Sequence, residues 1–233
     1  MSLLGKGVLA IWNGIDPASE REFVRWHVEE HIPERVGLPG FLRGRRYIAV
    51  DGYPKFFNFY ETLAPSDLSS PTYQARLNAP SEWTKSVVQF FQDTSRTICD
   101  VSVTLGCGEG AFIETLRLDT RVDAHRFKEL LTSQVLLPAS REAGVVGVHL
   151  LEGQSSPGAG ATAESELRDG PDEVASWVVL IETVDPEAVQ ALRKGVLHVT
   201  RLRSAGVEDG MKRGMYALQF SLTKAELGMS PGS

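Results

Sequence analysis

Two histidines four residues apart, His27 and His31, are the side chains in this 233-residue chain best suited to proton transfer. Imidazole titrates near neutral pH and can serve as general base or acid. Phe23, Trp26, His27, Glu30 and His31 recur at spacings of three and four, so they share one stripe of a helix. His31 is the candidate acid–base group and His27 a candidate ligand contact. A metal at His-x-x-x-His would need a third ligand such as Glu30, and neither a metal nor any other cofactor is expected. Asn58, Tyr60 and Thr62 alternate along a predicted strand and therefore face one way. Tyr60 is the second candidate catalytic group, with Asn58 beside it to orient a ligand. Trp12, at the end of the first strand, could line a cavity mouth. Arg43, Arg45 and Arg46 could grip a carboxylate bidentately, and Arg45 is the substrate-binding candidate. Alternation turns only one of Arg45 and Arg46 inward, and a solvated strand end is the plainer reading. Plainer roles exist for the others too. His31 could meet the negative end of its helix. Tyr60 and Trp12 could be core.

These residues must be positioned by strands and helices that the pattern allows to be placed. Residues 7–13 read as a strand, and Asp16-Pro17 as the opening of a helix that Pro33 and Gly37-Leu38-Pro39-Gly40 end. Residues 45–50 and 55–63 form a hairpin. Residues 81–92 are a second helix and residues 96–105 a closing strand. A like series follows: strand 111–118, helix 122–137, strands 145–152 and 176–184, helix 186–203, strand 212–223.

The two series echo each other in sequence. Tyr60-Glu61-Thr62-Leu63-Ala64-Pro65 reappears as Ile181-Glu182-Thr183-Val184-Asp185-Pro186, and residues 47–52 as residues 148–153. The spacing between echoes lengthens by about twenty residues on crossing residues 154–172, which reads as one insertion. Its Gly, Ala, Ser and Glu content predicts a flexible surface loop. Each series is strand, helix, strand, strand, helix, strand, the ferredoxin-like unit. The expected class is therefore α+β, with repeats at residues 1–105 and 106–227 and a frayed tail at 228–233. Phe56, Phe57, Phe59 and Tyr60, like Trp177, Val178, Val179 and Leu180, are bulky on both parities, so both sheet faces are buried. Two such sheets packed on each other satisfy this, with a cavity between them. The first series carries Asn58, Tyr60 and His31 where the second carries Val179, Ile181 and Leu136, which places any site in the first.

Trp26-His27-Val28-Glu29-Glu30-His31-Ile32-Pro33, then Leu38-Pro39-Gly40-Phe41 and Arg45-Arg46-Tyr47, resembles the dimeric α/β-barrel superfamily, and within it the EthD-like branch. The resemblance implies a barrel made from two ferredoxin-like units, here supplied by one chain. It implies that His31 sits near the mouth of a cavity. Members include monooxygenases, lactone isomerases and haem enzymes, so His149 or His198 would be the haem ligand if there were one. A second resemblance competes. Residues 103–112, Val-Thr-Leu-Gly-Cys-Gly-Glu-Gly-Ala-Phe, are similar to the glycine-rich loop of S-adenosylmethionine-dependent methyltransferases, where a strand precedes and a helix follows. The alternative is a turn joining the two series.

A net charge of −6 excludes nucleic acid as the main partner, which would demand a basic face. The apolar runs are shorter than the roughly 20 residues that span a bilayer, so no membrane partner is expected. Two cysteines, Cys99 and Cys107, without metal or redox spacing fit a reducing cytoplasm. The expected protein is a small-molecule-binding barrel, enzymatic or not: a cofactor-independent oxygenase, isomerase or lyase acting on an apolar metabolite, or a binding or stress-related module. Two such chains could pair as a homodimer.

Overall fold

A computed structural model describes residues 3–154, 162–168 and 172–228. The predicted loop at 154–172 and the tail at 228–233 lie largely outside the described residues. Eight strands close a barrel in the order β1-β3-β2-β8-β5-β7-β6-β4, and every neighbouring pair is antiparallel. The strands are β1 (Gly7–Ile15), β2 (Phe41–Asp51), β3 (Phe56–Thr62), β4 (Phe91–Gly106), β5 (Phe112–Leu118), β6 (Val145–Gly153), β7 (Trp177–Thr183) and β8 (Lys212–Thr223). Within residues 7–106 the order is β4-β1-β3-β2, and within residues 112–223 it is β6-β7-β5-β8, each the order of a ferredoxin-like sheet. The pairs β2–β8 and β4–β6 join the two arcs edge to edge, so no edge strand is left open.

The helices lie outside the barrel. They are α1 (Glu20–Trp26), α2 (Ile32–Gly37), α3 (Pro71–Leu77), α4 (Glu82–Val88), α5 (Ala124–Leu131), α6 (Leu137–Ala139), α7 (Ala163–Glu166), α8 (Pro186–Lys194), α9 (Val199–Ser204) and α10 (Lys224–Leu227). Several bounds differ from expectation for local reasons. Asp16 closes a turn, its side chain accepting the Ala18 amide and its carbonyl the Ser19 amide, both at 2.9 Å, so α1 starts at Glu20. Strand β4 is longer than residues 96–105 because it serves two neighbours in succession: its first part pairs with β1 and its second with β6. The helix expected over 186–203 breaks at Gly195, and His198 caps α9 anew. The glycines at 106–110 make the turn between β4 and β5. Gly106 has φ +88°, and a Cβ there would stand 2.2 Å from the Val146 carbonyl oxygen. A strand follows, not a helix, and no strands run parallel there, which removes the basis of the methyltransferase reading.

All seven residues of β3 and of β7 are buried, as their bulk on both parities requires. The inward set fills the barrel: Trp12 stacks on Phe57 at 4.7 Å, and Tyr47, Phe59, Leu180 and Tyr216 pack around them. Eight strands leave an interior just wide enough for such side chains. The expected cavity between the sheets is therefore occupied by core. Each aromatic ring so buried stabilises the fold by roughly 1.5–3 kcal/mol.

Charge is buried at one end of this interior. Arg45, fully buried, reaches Glu182 at 2.9 Å and Glu61 at 3.2 Å. Arg43 binds Glu61 at 2.6 Å, and Glu182 also meets His149 Nε2 at 3.3 Å and accepts the Gly110 amide at 3.0 Å. Burial opposes ionisation of Glu182, but Arg45 and His149 outweigh it and pull its carboxyl down to about 2. Arg43, Arg45 and Arg46 are all buried, correcting the solvated strand end: Arg45 points into the barrel, and Arg46, on the opposite face, donates to the Val24 carbonyl at 3.0 Å under α1. Removing one partner of such a network strands the others in a dry interior. Arg45→Ala is expected to cost about 3–5 kcal/mol in urea unfolding at pH 7. A depressed carboxyl stabilises fully above its unfolded value, so the wild type should lose this contribution as pH falls from about 4.3 towards 2. A cost below about 1 kcal/mol for Arg45→Ala would show the network to be dispensable.

Candidate functional site

Between α1 and α2 the chain makes a π-turn over His27–His31, in which the Ile32 amide bonds the His27 carbonyl five residues back. The cause is Pro33. It has no amide hydrogen, and its ring would strike the carbonyl four residues earlier, so the helix widens locally and continues to Gly37. The widening places His27 and His31 together over the outer face of β1 and β3. Their rings are 5.4 Å apart and stacked, with His31 4.3 Å from Trp26. The Tyr60 hydroxyl hydrogen-bonds His27 Nε2 at 3.2 Å. His31 thus lies in mid-helix, buried, which overturns the reading of it as a helix-end cap.

These groups line a cavity of about 30 Å³ together with Leu9, Ile11, Asn58, Tyr73, Arg35, Arg96, Glu164 and Arg168. Four polar atoms on its lining residues are buried without a hydrogen-bond partner among the described residues: His27 Nδ1, His31 Nδ1, Asn58 Oδ1 and Arg168 Nε. Buried polar atoms are almost always paired, so each of these calls for a partner or a role. Asn58 is fixed by donating to Asn13 Oδ1 at 2.7 Å. Burial, then the nearby guanidinium groups, hold both histidines well below the usual imidazole range: Arg46 and Arg35 act on His27, Arg35 chiefly on His31. Burial raises the Tyr60 phenol far above its ordinary value. At neutral pH the site therefore presents two uncharged imidazoles and an un-ionised phenol.

Of the residues singled out from sequence, His27, His31, Asn58 and Tyr60 converge here. Trp12 and Arg45 do not: both point into the barrel, Trp12 donating to Thr115 Oγ1 at 3.3 Å. His149 is also inside the barrel, and His198 is exposed. Reasoning from sequence missed Arg35, Arg96, Tyr73, Glu164 and Arg168. Arg35 is four residues after His31 on the same helical stripe and was within reach of that argument. Arg96 needs the register that sets it opposite Ile11. Glu164 and Arg168 come from the segment between β6 and β7. Far from a featureless loop, its described part forms α7, capped by Thr162 and docked on the N-terminal half through Arg35–Glu164 and through the Ala163 amide to Asn78 Oδ1 at 3.1 Å.

The corresponding place in the C-terminal half is filled. A second π-turn spans Thr132–Leu136, again followed by a proline, Pro138. Beneath it Leu136, Val179 and Ile181 belong to one apolar cluster with Phe127 and Trp177.

No protein-family model and no curated protein matches this chain. Solved structures do match. An anthrone oxidase-like protein superposes with a TM-score of 0.63 at 14% identity, covering 97% of both chains. A candidate monooxygenase from Fusobacterium nucleatum gives 0.58 at 12%, covering 95% of this chain and 96% of its own. The chlorite dismutase of Candidatus Nitrospira defluvii gives 0.54 at 10%, covering 96% and 93%. At such identities the likeness is one of fold. It shows a shared fold, a closed antiparallel α/β barrel of ferredoxin-like sheets, over nearly the whole chain.

The depressed histidines carry a pH signature. The unfolded chain takes up protons near pH 6.5 while the native state does not, so stability should fall as pH drops below 6.5. His31→Leu, which keeps a buried side chain there, should flatten this loss in thermal melts between pH 7.5 and 5.5. A variant as acid-sensitive as wild type would mean that His31 is protonated in the native state.

Proposed function

We propose that this chain binds a small apolar metabolite in the cavity beneath α1 and α2, and acts on it as a cofactor-independent oxygenase, isomerase or lyase. The asymmetry between the two halves carries the reading. One scaffold position holds His27, His31, Asn58 and Tyr60 around a cavity with orphaned polar atoms, and its counterpart holds leucine, valine and isoleucine in close contact. Selection for stability alone would favour the second arrangement in both places. In this reading the chain is a duplicated ferredoxin-like unit, with repeats at 1–105 and 106–227, related to the EthD-like branch through its His31-x-Pro33. Only the first repeat keeps a site. A homodimer of the whole chain and a cytoplasmic location are part of the same reading.

The three reaction classes share a first step, removal of a proton from a phenol or from carbon beside a carbonyl. His31 accepts that proton on its free Nδ1 as an uncharged base. The Tyr60 hydroxyl, un-ionised, hydrogen-bonds the oxygen on which negative charge develops. The resulting anion is reprotonated elsewhere, expels a leaving group, or is oxidised by molecular oxygen as co-reactant. Fold likeness to an anthrone oxidase-like protein and a candidate monooxygenase supports testing oxygen first. The second reading, a binding module without turnover, draws support from cavity size: about 30 Å³ holds roughly two waters, against some 300–1,000 Å³ for most ligand sites.

Oxygen uptake with anthrone, 1-naphthol and acetylacetone tests the enzymatic reading, paired with hydrogen–deuterium exchange at the acidic carbon. Wild type should accelerate at least one. His31→Gln should lower the rate about 10²–10⁴-fold and Tyr60→Phe about tenfold or more, with folding intact by circular dichroism. Binding without turnover or exchange would favour the module.

A further inference from the structure

We infer that the cavity takes a carboxylate borne on an apolar ring system, held by Arg96 and Arg35, and that Glu164 of α7 occupies part of the carboxylate's place when the site is empty of ligand. The inference rests on the reading of the cavity as a ligand site and adds the class of ligand. Four charged side chains line the cavity, and three are cations: Arg35, Arg96 and Arg168. Arg168 is paired with Asp172 at 2.8 Å. Arg35 is almost fully buried and is paired with Glu164 and, at 2.9 Å, with Glu34, which is itself shared with Arg76. Arg96 has no carboxylate partner among the described residues. Among the described residues its guanidinium makes one hydrogen bond, from Nη2 to the Tyr73 hydroxyl at 3.1 Å. A half-buried guanidinium without a paired carboxylate is left only partly compensated. It stays charged, since the tyrosine and the more distant acids Asp172 and Glu164 outweigh its burial.

The remaining walls are suited to a ring rather than to a sugar or a peptide. Trp26, Tyr73 and Phe91 present aromatic surface, and Leu9 and Ile11 aliphatic surface. A planar carboxylate matches the guanidinium fork, which is why arginine recurs where carboxylates are recognised bidentately. The present anion in the cavity is the protein's own. Glu164 lies on a helix of only four residues, anchored to the N-terminal half by its pair with Arg35 and by the Ala163–Asn78 hydrogen bond. An arriving carboxylate competes with Glu164 for Arg35 and gains Arg96, so entry exchanges one ion pair for two contacts. The exchange also gives the ligand the space that the Glu164 carboxylate fills beside a cavity of about 30 Å³.

Isothermal titration of the full chain with benzoate and 2-naphthoate, each against its neutral amide, tests this. At least one acid should bind wild type ten or more times more tightly than its amide. Arg96→Gln should erase the difference while leaving amide binding unchanged, and Arg96→Lys should restore part of it. Glu164→Gln should tighten acid binding about fivefold or more, because it removes the internal competitor and keeps the side chain's size. Equal affinities for acid and amide, or acid binding weakened by Glu164→Gln, would overturn the carboxylate inference and leave the cavity as a ligand site. Failure of all four probes to bind both wild type and Glu164→Gln would overturn the two together.

Discussion

A single guanidinium buried between two carboxylates holds the closed barrel to its register. Arg45 enters from β2, Glu61 from β3 and Glu182 from β7, so its ion pairs reach from one arc of the barrel to the other. Hydrophobic packing is non-directional and would accept several registers of so apolar a set of strands. A buried charge network is intolerant, because a slip of one residue sends each side chain to the opposite face and leaves the others uncompensated. The Glu182 carboxylate also takes the Gly110 amide, which ties the turn between β4 and β5 to the same point. Glu61 and Glu182 occupy the same place in the two echoing segments of the sequence, so the network joins like positions of the two arcs.

With the interior committed to core and charge, the candidate site lies outside the barrel, under the helices. There the controlling feature is a proline. Pro33 forces a π-turn that carries His27 and His31 over Tyr60 and Asn58, and Pro138 forces its counterpart over an apolar floor. The backbone device is the same in both places, and side-chain chemistry alone distinguishes them. Burial, reinforced by guanidinium groups around the first, keeps its histidines uncharged, which suits proton acceptance better than a permanent cation would.

The segment between β6 and β7 ties the two halves together physically. It leaves the sheet of the C-terminal half and sets α7 against the helices of the N-terminal half, bringing Glu164 and Arg168 to a cavity otherwise built from residues 9–96. The half whose own cavity is filled thus supplies part of the wall of the other.

Much of this was legible in the sequence because it depends on local periodicity. Bulky residues on both parities of residues 56–60 and 177–180 required strands buried on two faces, and the echo of Glu61 by Glu182 gave the order of elements. Helical spacing put His27 with His31, and strand alternation put Asn58 with Tyr60; both pairs meet at the cavity. What tertiary structure decided is which side of each strand became the inside of the barrel. Alternation separates two faces without saying which is which, so Trp12 and Arg45, read as lining a site, belong to the closed interior. Long-range register decided the rest. Arg96 lines the cavity because β4 pairs with β1 opposite Ile11, and Glu164 does so because α7 docks on Arg35, contacts between residues far apart in the chain that no local pattern encodes.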